Sequence, residues 1–153
     1  MNRLLKFLAL SQCDRTLFLT TFFLLAGIKL GLRLLPFPTL RQCLARFGTA
    51  MSAPQSHRPI PPDRTNLNRI IAAIHLSSRH MPGGAKCLAR ALTAQVLTRC
   101  CGYAPQLRLG VAKTASGQLE AHAWLEVQGE IAIGQLNDLD RFTPLPALEG
   151  GRS

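Results

Sequence analysis

Acidic residues are scarce in this chain of 153 residues, which has eight Asp and Glu against 18 Lys and Arg and a formal net charge of +10. The imbalance lies in residues 1–100, where Asp14 and Asp63 are the only acids among 14 basic residues. Such a surface attracts acidic peptides, anionic lipid or nucleic acid. Aromatic residues are only 6% of the chain, and the basic residues are scattered singly. We therefore predict no nucleic-acid partner, because stacking platforms are lacking.

Motifs for nucleotides and metals are also missing. The sequence has no Walker A loop, no GxGxxG and no CxxC or Cys/His ligand spacing, so neither a cofactor nor a metal is predicted. The five cysteines are an odd number, and two of them are adjacent: Cys13, Cys43, Cys87, Cys100 and Cys101. This usage predicts free thiols, most of them buried, in a reducing and hence cytoplasmic compartment.

The longest apolar run, residues 17–28, follows Arg15 and is closed by Lys29 and Arg33. It is too short to span a bilayer comfortably, and no small-residue cleavage site follows it. We interpret it as part of a buried N-terminal helix. Peripheral membrane contact through that helix, or a signal or anchor segment, are the alternatives.

Periodicity predicts helices in the first two thirds of the chain and strands in the last third. The predicted helices are 3–13, 15–34, 39–47, 64–79 and 86–100, with a Pro-rich loop at 48–63 and a turn at 81–84. Alternating residues from Leu107, a second strand at 119–127 and a third at 130–133 predict an antiparallel meander, followed by an irregular tail from Pro144. The order indicates an α+β fold, with an N-terminal helical segment at 1–58 and a catalytic core at 59–153.

Cys87 and His122 are the candidate catalytic pair. Cys87 begins a predicted helix after a Gly-Gly turn, where free N–H groups and the helix dipole favour a thiolate and can stabilise an oxyanion. His122 lies mid-strand between two alanines and shares a face with Trp124 and Glu126. The pattern leaves open which face of the strand meets Cys87. Taken singly, each residue is more commonly structural than catalytic.

A carboxylate after the third strand completes the order of nucleophile, base and acid. Asp138 could accept the second imidazole N–H of His122 and fix its tautomer, and Asp140 is the alternative. We expect an Asp138 oxygen within hydrogen-bond reach of the His122 ring, on the side away from Cys87. The other histidines, His57, His75 and His80, show no ligand spacing and are interpreted as surface or structural.

This order resembles the transglutaminase-like (papain-like) superfamily of cysteine proteases, and in particular the leader peptidases of lasso-peptide biosynthesis. The matching segments are KCLARALTAQ from Lys86, CGYAPQLRLGV from Cys101, AHAWLEV from Ala121, GEIAIG from Gly129 and RFTPL from Arg141. The resemblance implies a core in which the helix bearing the nucleophile packs on a small antiparallel sheet. It assigns the nucleophile to Cys87 and the base to His122. Some relatives place the acid directly after the third strand, where this chain has Gly134-Gln135.

The resemblance also implies a reaction and partners. Such a peptidase removes the leader from a precursor peptide and frees the core's N-terminal amine, on which an asparagine-synthetase-like cyclase closes a macrolactam. A leader-binding protein delivers the precursor, and we expect it to be a separate chain. Two alternatives stay open: a non-catalytic protein on the same fold, and another acyl transfer such as amide cross-linking or deamidation.

Overall fold

The structure, a computed structural model, describes residues 12–51 and 63–146. Four helices come first: α1 (Gln12–Leu34), α2 (Phe37–Met51), α3 (Arg64–His80) and α4 (Cys87–Cys100). Strands β1 (Pro105–Lys113), β2 (Leu119–Val127) and β3 (Glu130–Ile133) follow. A 3₁₀ turn at Leu139–Arg141 then leads into the two-residue strand β4 (Thr143–Pro144). The predicted α+β class with a small antiparallel sheet is confirmed.

The sheet has the order β3-β2-β1-β4 with antiparallel pairing throughout. Gln128 and Gly129 both have positive φ, which makes the tight turn of the β2–β3 hairpin as predicted. β3 pairs only with Leu125–Val127. Residues 119–124 of β2 therefore form the rim of the sheet on the β3 side, and His122 lies on this rim.

Two apolar clusters join the helices to one face of the sheet. In the first, Ile74 of α3 and Ala94 of α4 pack with Leu125 and Val127 of β2. In the second, Leu25 and Ile28 of α1 pack with Leu40, Ala89 and Leu92 of the other helices and with Met81, which follows α3. Fully burying aliphatic side chains of this size contributes roughly 1.5–3 kcal/mol each. The first two helices thus share a core with the segment that begins at Cys87.

Three sequence predictions about these elements are wrong. α1 continues through residue 14, where a break between two helices was predicted, and the Asp14 carboxylate accepts hydrogen bonds from Arg69. α2 continues to Met51 rather than ending at Phe47. The tail is not wholly irregular, because Thr143 and Pro144 pair with β1; Pro144 is tolerated on an edge strand.

Other predictions fall partly outside the described residues. The predicted helix at 3–13 and the Pro-rich loop lie mostly in 1–11 and 52–62, which are not described. The division at residue 58 also falls there and stays a prediction. Helices α3 and α4 agree with the sequence to within one residue, because Asp63 caps α3 through the Thr65 N–H and Gly102 ends α4 with positive φ.

Candidate active site

Cys87 is the first helical residue of α4 and is partly buried. Lys86 precedes it in an extended conformation and makes no side-chain cap to the helix. The first N–H with a main-chain partner in this helix is that of Arg90, which donates to the Lys86 carbonyl. The N–H groups of the first turn therefore have no intrahelical acceptor and can point at a negatively charged oxygen. This is the position that the sequence predicted for the nucleophile.

The turn in front of Cys87 is held by a lysine from α1. Gly83 and Gly84 both have positive φ, and the Gly84 N–H donates to the Met81 carbonyl. The Lys29 ammonium donates to the carbonyls of Pro82, at 2.5 Å, and Gly84, at 2.6 Å. Hydrogen bonds from a charged donor are among the stronger ones in proteins. Lys29, which in the sequence only marks the end of an apolar run, thus holds the turn that precedes Cys87.

Lys29 leads to a direct prediction. Lys29→Met keeps the aliphatic stem and removes both hydrogen bonds, so the turn before Cys87 loses its external support. We expect turnover to fall about tenfold or more, because small displacements of reacting groups carry large rate penalties. Peptide-cleavage assays quenched at fixed times measure the turnover of this variant. Arg33→Met, one turn further along α1, is the control. Equal rates for the two variants would contradict a positioning role for Lys29.

One turn into α4, Arg90 reaches across to α3. Its Nη2 donates to Nδ1 of His75 at 2.9 Å. Burial, followed by the charge of Arg90, lowers the pKa of His75. The neutral ring is therefore favoured, and its Nδ1 accepts from the guanidinium. This agrees with the interpretation of His75 as a structural residue.

His122 lies on β2 opposite Gly110 of β1. Its Nε2 donates to the main-chain carbonyl of Gly134 at 2.8 Å. With the proton on Nε2, the lone pair of the neutral ring is on Nδ1, the nitrogen that a general base would use. The ring is framed by Trp124, which is stacked with centroids 6.3 Å apart, and by Phe142 at 5.5 Å. The imidazole thus has one fixed tautomer and two aromatic walls.

The aromatic wall is itself fixed by a polar chain on the same face of β2. The Trp124 indole N–H donates to Glu126 at 3.0 Å, and Glu126 accepts from Arg108 at 3.2 Å. Gly110 makes room for the wall, since a Cβ there would come within 2.9 Å of the Trp124 ring. The spacing of His122, Trp124 and Glu126 in the sequence predicted a shared face. In the structure, ring stacking joins His122 to Trp124, and a hydrogen bond joins Trp124 to Glu126.

Gly134 is the residue that the sequence analysis treated as a departure from the family pattern. It has φ +91°, and a Cβ at this position would lie 2.7 Å from the Ala123 carbonyl oxygen and 2.8 Å from Trp124 Cα. Only glycine fits this close crossing of β2 in this conformation. The crossing brings the Gly134 carbonyl onto the His122 ring. The acceptor therefore comes from the backbone, at the place where some relatives carry the acid.

The predicted hydrogen bond from the His122 ring to the Asp138 carboxylate is not formed. The Asp138 carboxylate accepts from Arg141 at 2.6 Å, and its side chain is 56% exposed. The hydrogen bond from Arg141 is the main cause that lowers the pKa of Asp138, to which the charge of His122 adds a smaller contribution. Asp138 therefore belongs to a surface network in which Arg141 also binds Glu120. Asp140 is exposed and has no contact with the ring in the described structure.

This geometry changes what is expected of Asp138. Its role in catalysis stays a prediction, but it acts on His122 only through its charge at a distance. We expect Asp138→Asn to slow turnover by about threefold or less, since interactions between exposed groups are weak in water. A steady-state assay against Asp140→Asn provides the comparison. A loss of a hundredfold in Asp138→Asn alone would restore it as the triad acid.

Cys87 and His122 make no hydrogen bond with each other among the described residues. β2 presents Leu125 and Val127 to the helices, so alternation places His122 on the other face, with Trp124. The face that meets the helices is thus the apolar one, as predicted. Ladder pairing of β2 with β3 ends at Leu125, and beyond it Gly134 crosses β2 beside the ring. The contact between thiol and imidazole stays a prediction.

The other cysteines correct one expectation. All five are free thiols, but Cys13, Cys43 and Cys101 are exposed and Cys100 is only partly buried, so the prediction that most are buried is wrong.

The described residues contain no group of three or more His, Cys, Asp or Glu side chains suited to a metal ion. A separate groove lies between α2 and α4, lined by Arg41, Leu92 and Arg99 among others. Its first lining residue on α4, Leu92, lies five residues after Cys87.

Comparison with protein families gives one match. The model of the transglutaminase-like superfamily, described as Transglut_core3, matches residues 31–147, which is more than half of the chain. The match begins within α1 and includes Cys87, His122 and Gly134. Comparisons with curated proteins and with solved structures found no match. The chain therefore belongs to the transglutaminase-like superfamily.

Proposed function

We propose that this protein is a cysteine peptidase that removes the leader from a ribosomally made lasso-peptide precursor. The family supports a papain-like cysteine-protease or acyl-transfer fold. The observation that carries the proposal is the His122 ring, held at Nε2 by the Gly134 carbonyl with its Nδ1 left to act as a base. Cys87, at the start of α4, provides the thiol. Leader removal, as the finer assignment, rests on the sequence resemblance.

The reaction follows from these groups. Nδ1 of His122 takes the proton of the Cys87 thiol, and Sγ attacks the carbonyl carbon of the peptide bond. The N–H groups of the first turn of α4 bind the oxyanion. The C–N bond then breaks, the leaving amine takes the proton from His122, and a thioester remains. Water, deprotonated by His122, attacks the thioester and releases the leader as a carboxylate.

The Gly134 carbonyl has two roles in this scheme. It keeps the proton of the neutral ring on Nε2, and it accepts from Nε2–H when Nδ1 is also protonated. The proposal requires a hydrogen bond between the Cys87 thiol and Nδ1 of His122 to form when substrate binds. Catalytic hydrogen bonds that are absent in an unliganded enzyme commonly form in the substrate complex.

The proposal includes partners. The freed core amine is the nucleophile that a separate asparagine-synthetase-like cyclase would join to a side-chain carboxylate. A separate leader-binding protein would present the precursor. We propose a cytoplasmic location for this assembly, in keeping with the free thiols.

Mass analysis of the product tests the proposal. The substrate is a synthetic precursor peptide encoded beside the gene for this chain, incubated with the protein and the neighbouring leader-binding protein. Two fragments whose masses sum to the precursor plus one water are expected. A gain of 1 Da, from amide to acid, or a cross-linked species would instead indicate deamidation or transglutamination. If no product forms although the Cys87 thiol still reacts with an alkylating reagent, the result would favour a binding protein on the same fold.

A further inference from the structure

α1 has two apolar sides, of which the protein itself covers one. Thr21, Leu25 and Ile28 are buried against the other helices. Four large apolar side chains on α1 are exposed: Leu19 (46%), Phe23 (68%), Leu30 (57%) and Leu34 (71%). Successive helical residues are about 100° apart, so these four fall within an arc of about 60° on the side opposite the buried residues. We call them the α1 stripe; it extends about 22 Å along the helix.

Charge beside the α1 stripe is positive. Arg15 and Arg33 lie about 40° to one side of Leu19, near the two ends of the stripe. Across residues 12–51 there are five Lys and Arg and one acid, Asp14. Asp14 is on the core side of the helix, where it forms a 2.6 Å ion pair with Arg69. Asp14 is thus the one acidic residue of α1 and α2, and it lies on the side of α1 away from the stripe.

We infer that the α1 stripe docks on the surface of an anionic lipid bilayer, with α1 lying in the plane of the interface. An apolar stripe flanked by basic residues on a long helix is the pattern of an interfacial helix. Each basic residue near such a surface adds about 1 kcal/mol of attraction, or roughly fivefold in binding. The undescribed residues 1–11 continue the composition, with Arg3, Lys6 and no acid.

The attachments of α1 distinguish lying on a membrane from crossing it. Among the described residues, α1 is the one helix long and apolar enough to span a bilayer. However, Asp14 is bound to Arg69 near its start, and Lys29 is bound to the turn before Cys87 near its end. Spanning would break both attachments and expose the core side of α1. Interfacial docking keeps them and uses only the exposed side.

Vesicle co-sedimentation of the purified full chain tests this inference. The vesicles are phosphatidylcholine with one quarter phosphatidylglycerol, or phosphatidylcholine alone, at 0.1 M salt. We expect partitioning onto the anionic vesicles to be at least tenfold stronger than onto the neutral ones. The variant Phe23→Gln/Leu30→Gln should bind at least tenfold more weakly, and Arg33→Gln about fivefold more weakly.

Leu119→Gln is the matched control, because Leu119 is 75% exposed but lies on β2. Its partitioning should stay within twofold of wild type. Because all the exchanged side chains are exposed, the variants should fold, which circular dichroism verifies. Failure of wild type to bind anionic vesicles, or undiminished binding of Phe23→Gln/Leu30→Gln, overturns the inference. A lipid-free dimer that the double variant converts to monomer would assign the stripe to a second copy and also overturn it.

Discussion

Cys87→Ala is expected to abolish cleavage of the precursor while leaving the fold intact. The substitution removes the only proposed nucleophile, and losses of a nucleophile in related chemistry reduce turnover by at least about a thousandfold. Cys87→Ser should be equally inactive, because a hydroxyl at this position is far less acidic than a thiol and gives no accessible anion. Mass spectrometry of the precursor after incubation measures the loss. Thermal unfolding should stay close to wild type, since Cys87 is only partly buried.

Cys100→Ala is the matched control for Cys87. It lies at the other end of the same helix, is also partly buried, and is far from the N–H groups of the first turn. Turnover of Cys100→Ala should stay within a few-fold of wild type, as should that of Cys13→Ala, Cys43→Ala and Cys101→Ala. Alkylation by iodoacetamide, mapped by peptide mass, should inactivate in proportion to the labelling of Cys87. An active Cys87→Ala alongside an inactive Cys100→Ala or Cys101→Ala would reassign the nucleophile.

Gly134→Ala is expected to damage both the site and the fold. A non-glycine residue at φ +91° is strained by about 1–3 kcal/mol, and the added Cβ would come within 2.8 Å of backbone atoms of Ala123 and Trp124. The segment must move away from β2, which displaces the carbonyl from Nε2 of His122. We expect cleavage to fall about a hundredfold or more, because the ring loses its fixed tautomer and position. Cleavage rates and thermal unfolding measure the two effects separately.

Gly117→Ala is the control that separates the effect of backbone strain from the effect of the clash between the new Cβ and β2. Gly117 has a similar φ of +80°, but a Cβ there meets nothing within 4 Å. It should therefore lose comparable stability from strain while keeping wild-type turnover at temperatures where it is folded. NMR of the His122 ring nitrogens should show the Nε2-protonated tautomer in wild type and in Gly117→Ala, and a mixture in Gly134→Ala. Wild-type turnover in folded Gly134→Ala would exclude the carbonyl from a positioning role.

The elements that the sequence predicted well are those whose signals are local. Asp63 caps α3 and Gly102 closes α4 through bonds within a few residues of themselves. The Gln128-Gly129 turn sets the β2–β3 hairpin in the same way. Cys87 could be placed at a helix start because the Gly-Gly turn and the apolar pattern of α4 adjoin it. Each of these features has a signal within a few residues of itself.

Two predictions failed because local patterns do not show which groups bind Asp14 and the His122 ring. The predicted break at residue 14 is absent, and the Asp14 carboxylate is bound by Arg69, 55 residues later in the sequence. Asp138 looked like the acid because it follows β3, yet Arg141 binds it and the Gly134 carbonyl accepts from the ring. The signal that could have identified Gly134 was its place directly after β3, where some relatives carry an acid. A backbone carbonyl has no side-chain signature, so sequence patterns do not reveal it.

By itself, the sequence determined the α+β class, the order of helices and strands, and the position of Cys87 at a helix start. It could do so because helix caps, turns and apolar periodicity act over a few residues. The tertiary structure decided which groups touch His122, how Lys29 of α1 holds the turn before Cys87, and which side of α1 stays uncovered. These contacts join residues 12 to 55 positions apart. Such pairings arise only when the helices and the sheet pack together, so no local pattern encodes them.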